Sequence, residues 1–397
     1  MAEPNAPVPG RFKAFAGIRN TVSPERFGPA DLVAAVNVDI DDTGRIARKK
    51  GYSLLSATGT KWLYANGDLL LGVQGSGLMR LANDLTPLAT LRTVTASQRM
   101  SYWTVIGRTY FSNGLEVGCV ENGVARTWGM VPPSSIGVAA STPGGLLPAG
   151  RYQWTLTYLR GDGQESGTRL SGIVTLAEQA GIAWSSLPVS SDPDVAGKIV
   201  YLTTVNGDKF YEALILAAAD TTATYMGDGV EFTRELETWL CQEAPAGQCV
   251  SYFRGQTLVA AGTVLYPSVP YGYELFDLRN YFDFESAITL IAPVEDGLFV
   301  CTQTHHYWLP GLSQADWTQQ VKTDVGAIPG SLVYTDGQKV GEGIGGMVAL
   351  WLARSGICIG ANGGVFKVLT ADRVNANIAR SEGASVVIDN RVITTAE

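Results

Sequence analysis

Two histidines in 397 residues are the scarcest feature of this sequence. General acid–base catalysis and transition-metal binding draw mostly on imidazole, so the scarcity argues against a metallohydrolase or a histidine-based enzyme. His305 and His306 are adjacent, and on a strand adjacent side chains face opposite sides, so the two cannot share a metal from there. Cysteine is sparse too: Cys119, Cys241, Cys249, Cys301 and Cys358 are scattered and odd in number. That pattern suits reduced thiols better than a disulfide framework, and Cys241 and Cys249 lack zinc spacing and partners. Charge is thin, at 17% of residues against roughly 25% in average soluble proteins. No apolar run approaches the roughly 18 residues of a spanning helix; the longest, Ala213 to Ala219, is one strand's worth. No stable membrane insertion is expected. The opening Ala2-Glu3-Pro4-Asn5-Ala6-Pro7-Val8-Pro9 has neither a basic region nor an apolar core. It reads as an extended arm over residues 1–14 and not as a secretory signal.

The charges that are present comprise 29 Lys and Arg against 37 Asp and Glu, a net −8. Such a chain is a poor phosphate neutraliser, because affinity for nucleic acid comes mainly from Lys and Arg displacing counterions. The abundant features are 46 glycines, 18 prolines and a 46% hydrophobic fraction, enough for a full-sized core. Most segments are four to eight β-branched, aromatic or aliphatic residues bounded by Gly, Asn, Asp or Pro, the signature of strands. Trp62 to Ala65, Leu69 to Val73 and Leu78 to Leu81 are joined by turns at Asn66-Gly67-Asp68 and Gly75-Ser76-Gly77. Met100 to Ile106, Thr109 to Ser112, Glu116 to Val120 and Val124 to Trp128 repeat the pattern, with Asn113-Gly114 and Asn122-Gly123 as hairpin signals. The same meander returns after Gly297 and again over Val348 to Leu369. Repeated meanders of about 40 residues are the mark of propeller blades.

The middle differs. Residues 137–148 are rich in Ala, Ser, Gly and Pro, and strongly alternating strands follow at Gly150 to Leu159 and Lys198 to Thr203. The expected fold is therefore all-β. A β-propeller-like core occupies 15–135 and 236–397, with an inserted fibronectin/immunoglobulin-like β-sandwich module at 136–235. Thr233 to Leu240 is the best candidate helix.

Several motifs match in letters only. Asp39-Ile40-Asp41-Asp42-Thr43-Gly44 imitates the start of a calcium loop, but the twelfth position, which must be a bidentate acid, is Lys50. Arg45, Arg48, Lys49 and Lys50 would also repel the ion. Gly341-x-Gly343-x-x-Gly346 matches a dinucleotide fingerprint, yet it precedes a strand-like segment instead of opening a helix. The carboxylate pairs Asp192/Asp194 and Asp283/Glu285 sit in polar, turn-like stretches. No catalytic residue, cofactor or metal is expected. One cluster stands apart: Tyr266, Tyr271, Tyr273, Phe276, Tyr281 and Phe282 within a single loop. Aromatics this dense either stack sugars or bases, or pack on one another, or meet another subunit.

Some of these residues carry a resemblance. Phe15 to Asn20, and above all Ala35-Val36-Asn37-Val38-Asp39 through Gly44-Arg45 to Arg48-Lys49-Lys50-Gly51-Tyr52, resemble the opening of tail nozzle (tail tubular) proteins of short-tailed bacteriophages. Tyr273 to Tyr281, Asp296 to Thr302, Tyr307 to Gly311, Val325 to Ser331 and Ser355 to Cys358 are similar to later parts of that family. The resemblance implies a virion protein of the phage tail, made in the host cytoplasm. It would be a ring, a homohexamer, below the portal and adaptor, neighbouring tail fibre or tailspike proteins. Phage DNA would pass through it without specific binding. The composition is compatible: a conduit should not hold DNA, and −8 per copy multiplied around a ring favours a repelling lumen. On this view Arg45, Arg48, Lys49 and Lys50 form an interface with an acidic neighbour, and Tyr271, Tyr273 and Phe276 are candidate contact residues. The alternatives are a carbohydrate-binding propeller or adhesin using loop 266–282, and a propeller hydrolase, which would need clustered carboxylates.

Overall fold

The computed structural model describes residues 14–41, 43–51, 53–340, 343–375, 378, 380–388 and 391–397. The expected N-terminal arm lies outside these residues except for Ala14. The fold is all-β and propeller-like. The described residues hold no α-helix, only four short 3-10 turns, and contain five four-stranded antiparallel meanders plus a two-sheet sandwich. The chain divides into two compact units.

The larger unit is Lys61–Arg80 with Pro87–Glu285. Its first meander is Thr60–Asn66, Leu69–Gln74, Gly77–Leu81 and Pro87–Thr93; its second is Ser101–Val105, Arg108–Ser112, Val117–Glu121 and Val124–Arg126. The third is Cys249–Phe253, Gln256–Ala261, Val264–Pro267 and Phe282–Asp283. Tight turns at Ile106-Gly107, Asn122-Gly123 and Arg254-Gly255 have positive φ at both central residues. This is the type I′ geometry whose twist matches that of the strands it joins. The meanders stack on their apolar faces. Leu71, Val73 and Leu78 of the first meet Met100, Tyr102, Phe111 and Val120 on one side of the second. Tyr110 and Cys119 on the other side meet Val250, Val259 and Phe276. A sheet with period-2 side chains can be apolar on both faces only when it is covered on both.

The sandwich stands between the second and third meanders in the chain. One sheet orders Val138–Leu147, Ala180–Ser185 and Ala223–Tyr225; the other orders Gly172–Leu176, Gly150–Arg160, Val195–Thr203 and Phe210–Ala217. Trp154 and Trp184 meet edge-on at 6.0 Å in a core shared by Tyr152, Leu156, Ile182, Val200 and Leu202. The helix expected at Thr233–Leu240 is not there. Residues 234–236 run extended along the free edge of Phe210–Ala217, with the Glu212 amide donating to the Arg234 carbonyl and that of Leu236 to the Phe210 carbonyl. Sheet hydrogen bonds to an open edge outweigh a helical pattern two turns long.

The smaller unit comprises Met1–Thr60, Leu81–Thr86 and Ser286–Glu397. Its two meanders are Ile288–Val294, Gly297–Thr302, His306–Pro310 and Gln320–Thr323, then Val333–Asp336, Met347–Ala353, Gly356–Ala361 and Val365–Val368. Leu290, Phe299, Trp308 and Trp351 fill the core between them. Three two-stranded ribbons complete the unit: parallel Gly17–Ile18 with Asp31–Leu32, and antiparallel Val38–Ile40 with Ile46–Arg48 and Gly383–Ile388 with Arg391–Ala396.

His306 belongs to this core. It is fully buried, edge-on to Trp351 at 5.6 Å and to Phe366 at 5.4 Å, and neither ring nitrogen has a hydrogen-bond partner among the described residues. Burial pushes its imidazole down to about 4, with His305 acting in the same direction. An unfolded histidine titrates near 6.5, so between about pH 6.5 and 4 the unfolded chain binds a proton that the native chain refuses. Stability therefore falls as pH falls through that window, by on the order of 2–3 kcal/mol from this group. The expected outcome is that wild type loses melting temperature from pH 7 to pH 4 more steeply than His306→Phe, whose ring fits the same aromatic box. Parallel pH profiles for the two proteins would refute the assignment.

Candidate functional site

The aromatic loop of the third meander is ordered by its own backbone. The Ser268 amide donates to the Thr257 carbonyl, that of Val269 to Leu275, that of Tyr271 to Gly255 and that of Phe276 to Gln242. Trp128 Nε1 and the Thr257 hydroxyl both donate to the Tyr273 carbonyl. Within this frame the three aromatics singled out from sequence part ways. Phe276 is 0% exposed and packs edge-on against Trp128 at 5.8 Å. Its side chain is therefore core and not an available contact residue: the loop folds back so that Glu274 and Phe276 are buried while Tyr271 is exposed. Tyr273 is half-buried against Tyr252. Tyr271 alone projects, at 79% exposure.

Tyr271 is also strained. Val269-Pro270-Tyr271-Gly272 closes with the Gly272 amide donating to the Val269 carbonyl, and Tyr271 has φ of +59°. That is the third position of a type II turn, where glycine is usual. The Tyr271 ring lies over the backbone of Gly255, where an added Cβ would come within 2.9 Å of it. An exposed ring held in a glycine conformation contributes little to folding.

Beneath the loop is a group that the sequence reading missed. Glu274, whose side chain is only 1% exposed, receives a forked pair of bonds from Arg126, with Nη2 to Oε1 at 2.6 Å and Nη1 to Oε2 at 2.8 Å. Arg160 Nη1 adds a bond to Oε2 at 3.1 Å and Arg108 Nη1 one to Oε1 at 3.2 Å. The Gly129 amide and the Tyr110 hydroxyl also donate to it. Glu121 and Asp162 balance the remaining charge, with Arg108 Nε on Glu121 at 2.8 Å and Arg160 Nη2 on Asp162 at 3.0 Å. Burial alone would raise the Glu274 pKa, but the bond from Arg126 and the charges of Arg160 and Arg126 outweigh it and hold the carboxyl below its usual range. Arg108 begins one strand of the second meander, Arg126 ends another, and Arg160 ends the longest strand of the sandwich. One carboxylate thus ties meander, sandwich and aromatic loop together inside the larger unit. The only clue in sequence was an acid placed among aromatics.

The basic run takes a different form. Arg45, Arg48, Lys49 and Lys50 are all exposed on the ribbon of Val38–Ile40 and Ile46–Arg48. The calcium-like letters form its turn: Asp41 Oδ1 accepts the Thr43 hydroxyl at 2.6 Å and the Thr43 and Arg45 amides at 2.9 Å. The carboxylate closes a turn, and Asp42 lies outside the described residues. Asp39 pairs with Arg391 at 3.2 Å. Val33, Val36, Ile46, Leu54 and Leu55 around the ribbon are exposed, Leu54 at 84%.

The other letter motifs stay separate. Gly343 and Gly346 lie in the loop before strand Met347–Ala353, and Gly341 is outside the described residues. Asp192 caps its own turn by accepting the Asp194 amide, and Asp283 accepts the Thr263 hydroxyl. The five cysteines are buried. Among the described residues no three His, Cys, Asp or Glu side chains are grouped to hold a metal, and no helix is long and apolar enough to cross a membrane.

No family model matches the chain, and no curated protein matches it. Solved structures resemble it weakly. The computationally designed protein Ika8 aligns at a TM-score of 0.26 and 10% identity over 86% of this chain and 94% of that one. BBS1N in complex with ARL6DN aligns at 0.33 and 10% identity over 85% and 91%. PorZ of Porphyromonas gingivalis, a surface component of the type-IX secretion system, aligns at 0.20 and 12% identity over 89% and 52%. Scores this low carry no argument about fold or function.

Two outcomes follow. Glu274→Gln leaves three arginines around a neutral amide and should cost about 3–5 kcal/mol in denaturant unfolding. Glu121→Gln, at the more exposed margin of the cluster, should cost about 1 kcal/mol or less. Equal small losses would mean the cluster is not cooperative. Tyr271→Gly should leave the melting temperature nearly unchanged, because relief of the positive φ offsets the added chain entropy of glycine to within about 0.5 kcal/mol. A fall of many degrees would mean the ring is structural.

Proposed function

We propose that this chain is a structural subunit of the tail nozzle of a short-tailed bacteriophage, one copy of a ring through which DNA leaves the virion. The observation that carries the reading is the segment 35–51. It has the strongest resemblance to that family, and it folds as an exposed ribbon bearing basic and apolar side chains instead of entering the core. A segment so built has its buried state in contact with something else, since contiguous exposed apolar surface marks interaction sites. The low overall charge and the net −8 fit a subunit whose sides are covered by neighbours and whose channel repels DNA. His306 is sealed in an aromatic box and so is not placed to act on a bound molecule. The adaptor on the portal side and tail fibres or tailspikes are the neighbours this reading names. Neither cofactor nor catalysis is part of it.

A second reading rests on Tyr271. A rigid, exposed and strained aromatic is also how a carbohydrate-binding adhesin presents a stacking ring. Glycan binding that disappears in Tyr271→Ala would favour it.

The deciding measurement is mass photometry with negative-stain imaging of the purified chain over a concentration series. The nozzle reading expects rings of about six copies with a central hole, the closed form of a head-to-tail contact. A chain that stays monomeric throughout would sink it.

A further inference from the structure

The exposed ribbon places four cations, Arg45, Arg48, Lys49 and Lys50, within six residues, flanked by the exposed Val36, Leu54 and Leu55. A surface that mixes these two characters is satisfied by a partner offering acid and apolar side chains in comparable number. Without the four cations the chain would carry 25 bases against its 37 acids, so a second copy is itself strongly anionic toward the ribbon. The acid is not evenly spread. Between 228 and 237 the sandwich edge exposes Asp228, Glu231, Glu235 and Glu237, four carboxylates in ten residues, together with Val230 at 81% exposure. Met226, just before them, is exposed as well.

This edge is held in shape. Residues 234–236 are hydrogen-bonded along Phe210–Ala217, and Arg234 is pinned by Glu212 at 2.5 Å and Glu165 at 2.8 Å. The Tyr225 hydroxyl donates to Glu231 in a part-buried bond, and Lys209 pairs with Glu235 at 3.1 Å at the surface. The strip is thus a preorganised acidic and apolar face, whose ordering entropy is already spent before any partner arrives. Charge on a strand edge also blocks pairing with a like edge, so its fitting partner is of opposite sign.

We infer that the basic ribbon 45–50 of one copy, with Leu54 and Leu55, docks on the acidic strip 228–237 of the next copy. The inference rests on the ring reading above and names its contact. The two patches differ, so the contact is head-to-tail, the type that closes into rings when the rotation permits. Opposed charges at its margin set orientation and association rate, and the apolar pairs hold it together.

The test uses two charge-reversed full-length chains. In the first, Arg48→Glu, Lys49→Glu and Lys50→Glu turn the four-cation ribbon net acidic; in the second, Asp228→Lys, Glu235→Lys and Glu237→Lys turn the four-acid strip net basic. All six positions are exposed, and each variant is checked for an unchanged circular dichroism spectrum and melt. Alone, each should need at least about tenfold more protein than wild type to assemble, because like charges now face each other. An equimolar mixture should assemble as wild type does, since the acidic ribbon of one meets the basic strip of the other and the reverse contact is equally matched. Rescue on mixing also excludes a contact within one chain, and folding defects cannot produce it. Wild-type oligomers with both reversed chains assembling equally well would overturn this contact and leave the ring reading standing. Monomeric wild type at every concentration would overturn both.

Discussion

The larger unit depends on one buried carboxylate. Glu274 sits under the aromatic loop with three arginines converging on it from the second meander and the sandwich. An ionised group taken out of water costs several kcal/mol, recovered only if every lone pair is engaged. Here both oxygens are: one guanidinium fork, single bonds from two further arginines, a backbone amide and a tyrosine hydroxyl share them. Such a cluster tolerates few alternative geometries. It fixes where the sandwich strand ends relative to the meander, and it holds the aromatic loop in one conformation. Gly129 beside it has φ of +88° and no room for a side chain, because a Cβ would lie 2.4 Å from the Glu274 carbonyl oxygen.

That rigidity explains how the loop can carry Tyr271 in a conformation suited to glycine. Strain at an exposed residue persists when its surroundings over-determine the backbone, and the amide bond from Tyr271 to Gly255 and the Glu274 anchor provide that. The smaller unit is built differently. Its core is a stack of Phe299, Trp308, Trp351 and Phe366 around an uncharged His306, and away from that stack Asp31 pairs with Arg19 at 3.2 Å and Arg373 at 3.4 Å. Its ribbons expose what its core does not need. The smaller unit exposes a basic and apolar ribbon, and the larger unit exposes the acidic segment 228–237.

Much of this was legible in the residues. Period-2 alternation and Asn-Gly turns located the meanders, because hairpin chemistry is local and a type I′ turn needs only two adjacent residues that accept positive φ. Even so, Ile106, read from the sequence as the end of a strand segment, is the first residue of the turn Ile106-Gly107. The helix expected at 233–240 failed for a reason outside its own sequence: an unpaired strand edge lay within reach. Phe276 failed likewise, since a ring in an aromatic loop faces the core or the solvent according to where the chain turns back.

The sequence by itself determined the class: all-β, repeated meanders, a sandwich between them, scarce imidazole and an acidic balance. These follow from composition and from periodicities of two residues, which act over a few bonds. Only the tertiary structure decided which of the loop aromatics are buried, that Glu274 would collect Arg108, Arg126 and Arg160 from positions 114 to 166 residues away, and that residues 234–236 would pair with an open strand edge. Partners that distant are chosen by how sheets stack, and no local pattern records that choice.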